Sequence, residues 1–238
     1  MKKQIEIKGL YKSFKKLEVL KGIDLTIEKP GIYAVLGPNA SGKTTLIKSI
    51  LGMVIPQKGK VKILGSEIKN NHQYRKDISY LPQIARFPEN LKVSELLEMI
   101  QDLQKRKGDT EELIKGLKLE PYLNVKLVSL SGGTKQKVNV VLTFMYDNPI
   151  IILDEPTSGL DPISMVFLKK IIRKEKEKGK IILVTTHIMP LVEELADEII
   201  FLLEGVISFR GSVHQLKSEH GGESIEIAIA NLLIQQNV

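Results

Sequence analysis

The chain of 238 residues contains no cysteine. That excludes disulfides and thiolate metal sites, and makes zinc-dependent chemistry an unpromising direction. No apolar run approaches the roughly 18 residues that a membrane-spanning helix requires. The strongest runs, residues 150–153 and 199–203, have the length of strands. The opening Met1-Lys2-Lys3-Gln4-Ile5-Glu6 is charged with no hydrophobic stretch behind it, so the expected setting is the cytosol. Internal repeats and low-complexity segments are also missing.

Charge and apolar content are both ample. The chain is 42% hydrophobic and 26% charged, enough for one large domain with a well-filled core. A net charge of +7 is compatible with nucleic acid, an anionic membrane surface or nucleotide phosphates. Much of it lies in Lys169, Lys170, Arg173, Lys174, Lys176, Lys178 and Lys180, interleaved with Glu175 and Glu177. No aromatic side chains alternate with these cations as stacking platforms, so the run reads as a solvated helix face and no nucleic-acid partner is expected.

The sharpest local pattern is Gly37-Pro38-Asn39-Ala40-Ser41-Gly42-Lys43-Thr44, a complete G-x-x-x-x-G-K-[ST] loop directly after the apolar run 32–36. Such a loop points successive backbone N–H groups into one concavity, with glycine where a Cβ would obstruct a phosphate oxygen. Lys43 adds a point charge for the β- and γ-phosphates, and Thr44 a hydroxyl for Mg²⁺. The run from Thr45 supplies a helix whose N-terminal dipole favours the same anion. A nucleoside triphosphate is the ligand to expect.

Around this loop the pattern is that of an α/β protein. Residues 3–36 read as strands, with Ile5 and Ile7, then Ile23, Leu25 and Ile27, alternating with polar positions. A strand near 61–64 follows. Between Gln83 and Leu130 the spacing becomes helical, with Ser94 as a candidate cap and Pro121 as a break, so 84–130 is expected to form an inserted helical subdomain. Strands and helices then alternate, with helices from about Pro162 and near 190–196. This predicts a mostly parallel sheet covered on both faces, with an antiparallel β subdomain at the N-terminal end. Gly221-Gly222 sets off a tail, 221–238, whose Ile225, Ile227 and Ile229 leave strand and helix both open.

The run 150–153 ends in Asp154-Glu155. Acids at the carboxyl edge of a buried parallel strand lie where open α/β sheets bind ligands. Asp154 suits Mg²⁺, and Glu155 is placed to act as general base or to orient an attacking water.

Together with Leu130-Ser131-Gly132-Gly133, these motifs make nearly the whole chain resemble the ATP-binding cassette family of P-loop NTPases. The resemblance identifies 130–133 with the family's signature, Gln83 with its Q-loop glutamine and metal contact, Asp161 with its D-loop aspartate, and His187 with its switch histidine. Phe14 stands at the place of the aromatic that stacks on adenine, with Val19 close behind and Tyr11 as a rival. One departure is Thr134, where the family usually has glutamine. His72, His214 and His220 match no motif.

The resemblance implies an ATPase with ATP and Mg²⁺ as ligands. Glu155, His187, Gln83 and Lys43 would carry catalysis. Residues 37–44, Thr45, Phe14, Val19, Ser131, Gly132, Gly133 and Asp161 would bind nucleotide. Thr44, Gln83 and Asp154 would hold the metal. It places the cassette at 1–220 and implies a homodimer or cassette heterodimer that closes head to tail on ATP. Separate transmembrane permease subunits are expected, with the cassette peripheral on the cytoplasmic face and its contact near Gln83, Phe87, Pro88 and Leu91. The pattern looks like cassettes paired with exporter-type membrane subunits, with iron–sulfur assembly cassettes as the alternative. GTPases are set aside because no N-K-x-D base reader is present.

Overall fold

The computed structural model describes residues 4–236. Met1 to Lys3 of the charged opening, and Asn237 and Val238 of the tail, lie outside the described residues. In chain order the elements are β1 (Ile5–Phe14), β2 (Leu17–Ile27), β3 (Gly31–Leu36), α1 (Lys43–Ile50), β4 (Lys58–Ile63), β5 (Ser66–Glu67) and β6 (Ile78–Leu81). Then come α2 (Val93–Gln104), α3 (Glu111–Gly116), α4 (Gly132–Phe144), β7 (Ile150–Asp154), α5 (Pro162–Glu177), β8 (Ile181–Thr185) and α6 (Met189–Leu195). The chain closes with β9 (Glu198–Leu203), β10 (Val206–Gly211), α7 (Val213–His220) and α8 (Ile225–Gln236).

Two sheets result. One is antiparallel, in the order β2-β1-β4-β5; the other runs β10-β9-β3-β8-β7-β6 and is parallel except for β10. The expected α/β class, with its N-terminal antiparallel part, is what the chain adopts. Strands β3, β7 and β8 are buried along their whole length because both faces of the parallel sheet are covered. Alternation then sorts their side chains. Ile150 and Ile152 face α1 and the antiparallel sheet, while Ile151 and Leu153 face α4 and α5. Helix α1 lies between the two sheets, with Leu46, Ile47 and Ile50 fully buried.

Helices α2 and α3 follow β6 and share a core with the far face of the sheet through Val93, Leu96, Leu97, Leu113 and Leu117. Ser94 does not cap α2. Lys92 holds the cap position, and its N–H is taken by the Glu95 carboxylate (2.9 Å), leaving Ser94 inside the first turn. Pro121 lies in a single 3-10 turn, Glu120–Tyr122, so no helix runs through it. Within the tail, Ile225–Gln236 is helical, and Ile225, Ala228 and Leu232 of α8 are buried against β9 and β10. These three lie at i, i+3 and i+7, so the apolar spacing that decides the matter is helical.

The basic run on and after α5 is an ion-pair face. Lys169 and Arg173 meet Glu194, Lys174 meets Glu112, and Lys176 meets Asp197. Lys180 departs from the solvated pattern. It is buried, and it pairs with Glu175 and, at 2.6 Å, with Asp147. Among the described residues no helix is long and apolar enough to cross a membrane.

Candidate functional site

At the carboxyl edge of β3, β7 and β8 lies a cleft of about 250 Å³. It is lined by residues 39–45 together with Leu17, Val19, Gln83, Asp154, Glu155, Thr185 and His187. Each part is positioned by local physics. The loop leaves β3 at Gly37 (φ +145°), where a Cβ would come within 2.1 Å of the Leu202 carbonyl. It enters α1 at Gly42 (φ +108°), where a Cβ would meet the Val19 carbonyl at 2.9 Å. Only glycine fits at either place. Gly205 N–H donates to the Ser41 carbonyl (3.2 Å), fixing the loop from the β9–β10 turn.

Helix α1 has no side-chain cap and no acid in its first turn, so its leading N–H groups remain available to an anion. Lys43 Nζ donates to the carbonyls of Gly37 (2.7 Å) and Pro38 (2.9 Å), which places its ammonium over the loop. Gly37 and Pro38 thus support the cleft from behind rather than line it. Burial pushes the Lys43 ammonium below its ordinary value, and Glu155 and Asp154 oppose that shift.

Asp154 ends β7 and is buried. The Thr185 hydroxyl, from the adjoining end of β8, donates to its Oδ1. Tyr80 on β6 faces it, and the phenol is pushed up to about 12, first by burial and then by that carboxylate. Continued strand geometry would send Glu155 to the opposite face from Asp154. Instead Glu155 turns into the left-handed region (φ +49°), and its N–H is held by Thr185 through the carbonyl (3.0 Å) and the hydroxyl (3.2 Å). Both acids therefore reach one cleft, at the cost of a strained non-glycine conformation. Glu155 Oε1 lies 3.2 Å from His187 Nε2. Burial raises the Glu155 carboxyl above the usual glutamate range, with Asp154 adding to the rise and His187 and Lys43 acting against it.

The remaining residues named from the sequence gather elsewhere. Ser131 caps α4 by accepting from Thr134 N–H (3.2 Å), and its hydroxyl also pairs with the Thr134 hydroxyl (2.9 Å). Gly133 abuts the turn after Glu155, where its Cβ would stand 2.5 Å from the Gly159 carbonyl. Asp161 caps α5 through Ser164 N–H (2.9 Å) and is bridged by Lys137 Nζ (2.6 Å). None of these lines the cleft. Phe14 does not line it either; it is exposed at the end of the β1–β2 hairpin, under Lys12 (4.9 Å to the ring centroid), while Leu17 across that hairpin does.

The roles of Thr185 and Tyr80 escape sequence reasoning, because a threonine and a tyrosine in strands are ordinary residues. The signal lay in the pairing of β6 and β8 with β7, which no single segment carries. Phe87 and Leu91 prove to pack against the core of the helical part, whereas Gln83, Ile84 and Pro88 are exposed.

A glycine-rich loop after a central parallel strand, with a lysine over it and two consecutive acids at the end of a nearby strand, defines a P-loop nucleotide triphosphatase. Residues 20–158, more than half of the chain, match the ABC transporter family. The chain belongs to that family, and it is an ATP-binding, ATP-hydrolysing cassette. It is 32% identical over 230 residues to Nod factor export ATP-binding protein I of Rhizobium sp. (strain N33), covering 94% of this chain and 76% of that one. It is 30% identical over 223 residues to the ABC-type transporter ATP-binding protein EcsA of Bacillus subtilis (strain 168), covering 91% and 90%. Among solved structures, an ATP-binding subunit of an ABC transporter superposes with a TM-score of 0.91 at 28% identity, covering 97% of this chain and 99% of that one. The cassette MJ0796, in a dimeric post-hydrolysis state bound to ADP and Pi, superposes with a TM-score of 0.79 at 25% identity, covering 88% and 98%.

Proposed function

We propose that the chain is the ATPase subunit of an exporter-type transporter, coupling ATP-driven closure of two cassettes to separate membrane-spanning subunits. The observation that carries this is the division of the site. Lys43, Thr44, Gln83, Asp154, Glu155 and His187 converge on one cleft, while Ser131, Gly132, Gly133 and Asp161, none of which lines that cleft, lie at the starts of α4 and α5.

In this scheme the phosphates lie along residues 39–45, with Gly37 and Pro38 holding the loop from behind and Lys43 on the β- and γ-phosphates. Val19 and Leu17 form the apolar end of the cleft for adenine, and Phe14, on the same hairpin, stacks on it. Thr44, Gln83 and Asp154 offer hydroxyl, amide and carboxylate oxygens, the donors that suit Mg²⁺. Among the described residues no group of three or more His, Cys, Asp and Glu side chains could hold a metal ion unaided, which fits a cation shared with nucleotide phosphates and water. When bound, Mg²⁺ supplies charge neutralisation across the phosphates. Glu155 accepts the proton of the attacking water, and His187, in contact with it, donates to the γ-phosphate. Ser131 to Gly133 of a second chain would close the site, with the γ-phosphate as the contact that hydrolysis removes.

Export by way of membrane subunits is supported by the relatives named above, one of which is a Nod factor export protein. Gln83, Ile84 and Pro88 are the exposed candidates for that contact, and the location is the cytoplasmic face of the membrane. The test is Glu155→Gln in Mg-ATP. Phosphate release should fall by about 10²–10⁴-fold, the usual worth of a general base. Light scattering should report a dimer, and a monomer at saturating Mg-ATP would overturn the two-chain site. Tagged chain should co-purify with a polytopic membrane protein.

A further inference from the structure

Helix α4 carries a buried polar residue that the scheme above does not use. Asn139 lies mid-helix at 3% exposure, between the buried Val138 and Val140. Asparagine is a poor helix former and costly to bury, so such a position asks for hydrogen bonds in return. Asn139 Nδ2 makes two, to the Pro82 carbonyl (3.1 Å) and to Gln136 Oε1 (3.3 Å). Gln136, itself buried, passes the chain on through Nε2 to the Pro156 carbonyl (3.2 Å).

The ends of this bridge are informative. Pro82 directly precedes Gln83, and Pro156 directly follows Glu155. The Pro82 carbonyl shares a planar peptide unit with the Gln83 nitrogen, and the ring of Pro156 fixes the φ that lies between Glu155 and the Pro156 carbonyl, so each bonded carbonyl is a short link from the residue that enters the cleft. The same helix begins at Ser131 to Gly133. One element thus holds the carbonyls of Pro82 and Pro156, the chain neighbours of Gln83 and Glu155, along its length and presents the second cluster at its start.

We propose that Asn139 is a positioning residue for hydrolysis, joining Gln83 to Glu155 through Gln136 so that the placement of α4 sets the geometry of the chain's own catalytic groups. This rests on the roles assigned to Gln83 and Glu155. Each amide acts through another group and touches no substrate, so its loss affects the alignment of the attack more than the binding of ATP.

The test is steady-state ATPase kinetics on the 238-residue chain. Asn139→Leu and Gln136→Met keep volume and break the bridge from either end; each leaves a proline carbonyl without its donor and lowers stability, so the melting temperature is read beside kcat and the assay is run well below it. Each should lower kcat by roughly tenfold, the scale of one lost buried hydrogen bond, with KM for ATP within about twofold. The double variant should fall no further than either single one, as members of one bridge do. Val140→Ala, which only loosens packing, should lower the melting temperature without the kcat effect. Native kcat in Asn139→Leu, or singles whose effects multiply in the double variant, would overturn the proposal. Glu155→Gln, assayed in parallel, separates the two failures. If it is inactive while Asn139→Leu is native, the bridge alone is wrong; if it turns over normally, the assignment of Glu155 falls and takes the bridge with it.

Discussion

The loop at 37–45 and the start of α4 both present backbone N–H groups at a helix N-terminus, yet they are built in opposite ways. The first is crowded. Gly37 and Gly42 adopt conformations a side chain would forbid, a lysine is buried over the loop, and the acid that ends β7 and the one directly after it share its cleft. The second is sparse, with a serine cap, two glycines and one ion pair between the largely buried Lys137 and the exposed Asp161. A crowded site with titratable groups can bind phosphate and do chemistry; a sparse one can recognise a phosphate and little more. The contrast is what the proposed two-chain site would need, with chemistry in the cleft and recognition at the start of α4.

The strongest challenge to that contrast is Lys43→Ala. If the cleft carries nucleotide affinity, removing its one cation should weaken ATP binding about ten- to a hundredfold, the range for hydrogen bonds to charged groups. Equilibrium titration with a fluorescent ATP analogue measures it. Unchanged affinity would mean that the loop's N–H groups suffice and that the contrast is overdrawn.

Gly133→Ala probes the other region. The new Cβ would stand 2.5 Å from the Gly159 carbonyl, a backbone atom that cannot swing aside. The start of α4 and the turn before α5 must then separate, costing about 1–3 kcal/mol by the measure of overpacked sites. Denaturant unfolding should record that loss. ATP affinity of the monomer should stay native, since Gly133 does not line the cleft, while dimer formation by the Glu155→Gln background should fail.

The same contrast explains what was legible in the sequence. The loop, Asp154-Glu155 and Ser131-Gly132-Gly133 are contiguous, so their residue types declare their geometry directly. Residues brought in by neighbouring strands are not. Thr185 holds both Asp154 and the Glu155 N–H because β8 pairs in register with β7, and Tyr80 reaches Asp154 from β6 for the same reason. Ser94 was a reasonable cap by type, but Glu95 is one residue better placed and takes the Lys92 N–H. Phe87 and Leu91 look like a contact patch in one dimension and are packing residues in three. Nothing in the sequence singles out Asn139, because its bond to the Pro82 carbonyl, and the one Gln136 makes to the Pro156 carbonyl, join segments far apart along the chain.

The smallest effect expected concerns the ion pair of the sparse region. Lys137 is the first cause holding the Asp161 carboxyl well below the usual aspartate range, with the Ser164 N–H second. A depressed folded-state carboxyl stabilises the fold above its unfolded value of 3.8, and that contribution disappears as pH falls through the folded value. Asp161 is 44% exposed, so solvent screens the pair and it should be worth less than about 1 kcal/mol. Lys137→Met should therefore lower stability slightly at neutral pH, and the gap from the native chain should close below the ordinary aspartate range. Urea unfolding at a series of pH values, at low and high salt, would read it. A gap that persists at low pH would show that Lys137 contributes through its apolar stem packing on α4 rather than through its charge, and Asp161 would then be held mainly by its cap on α5.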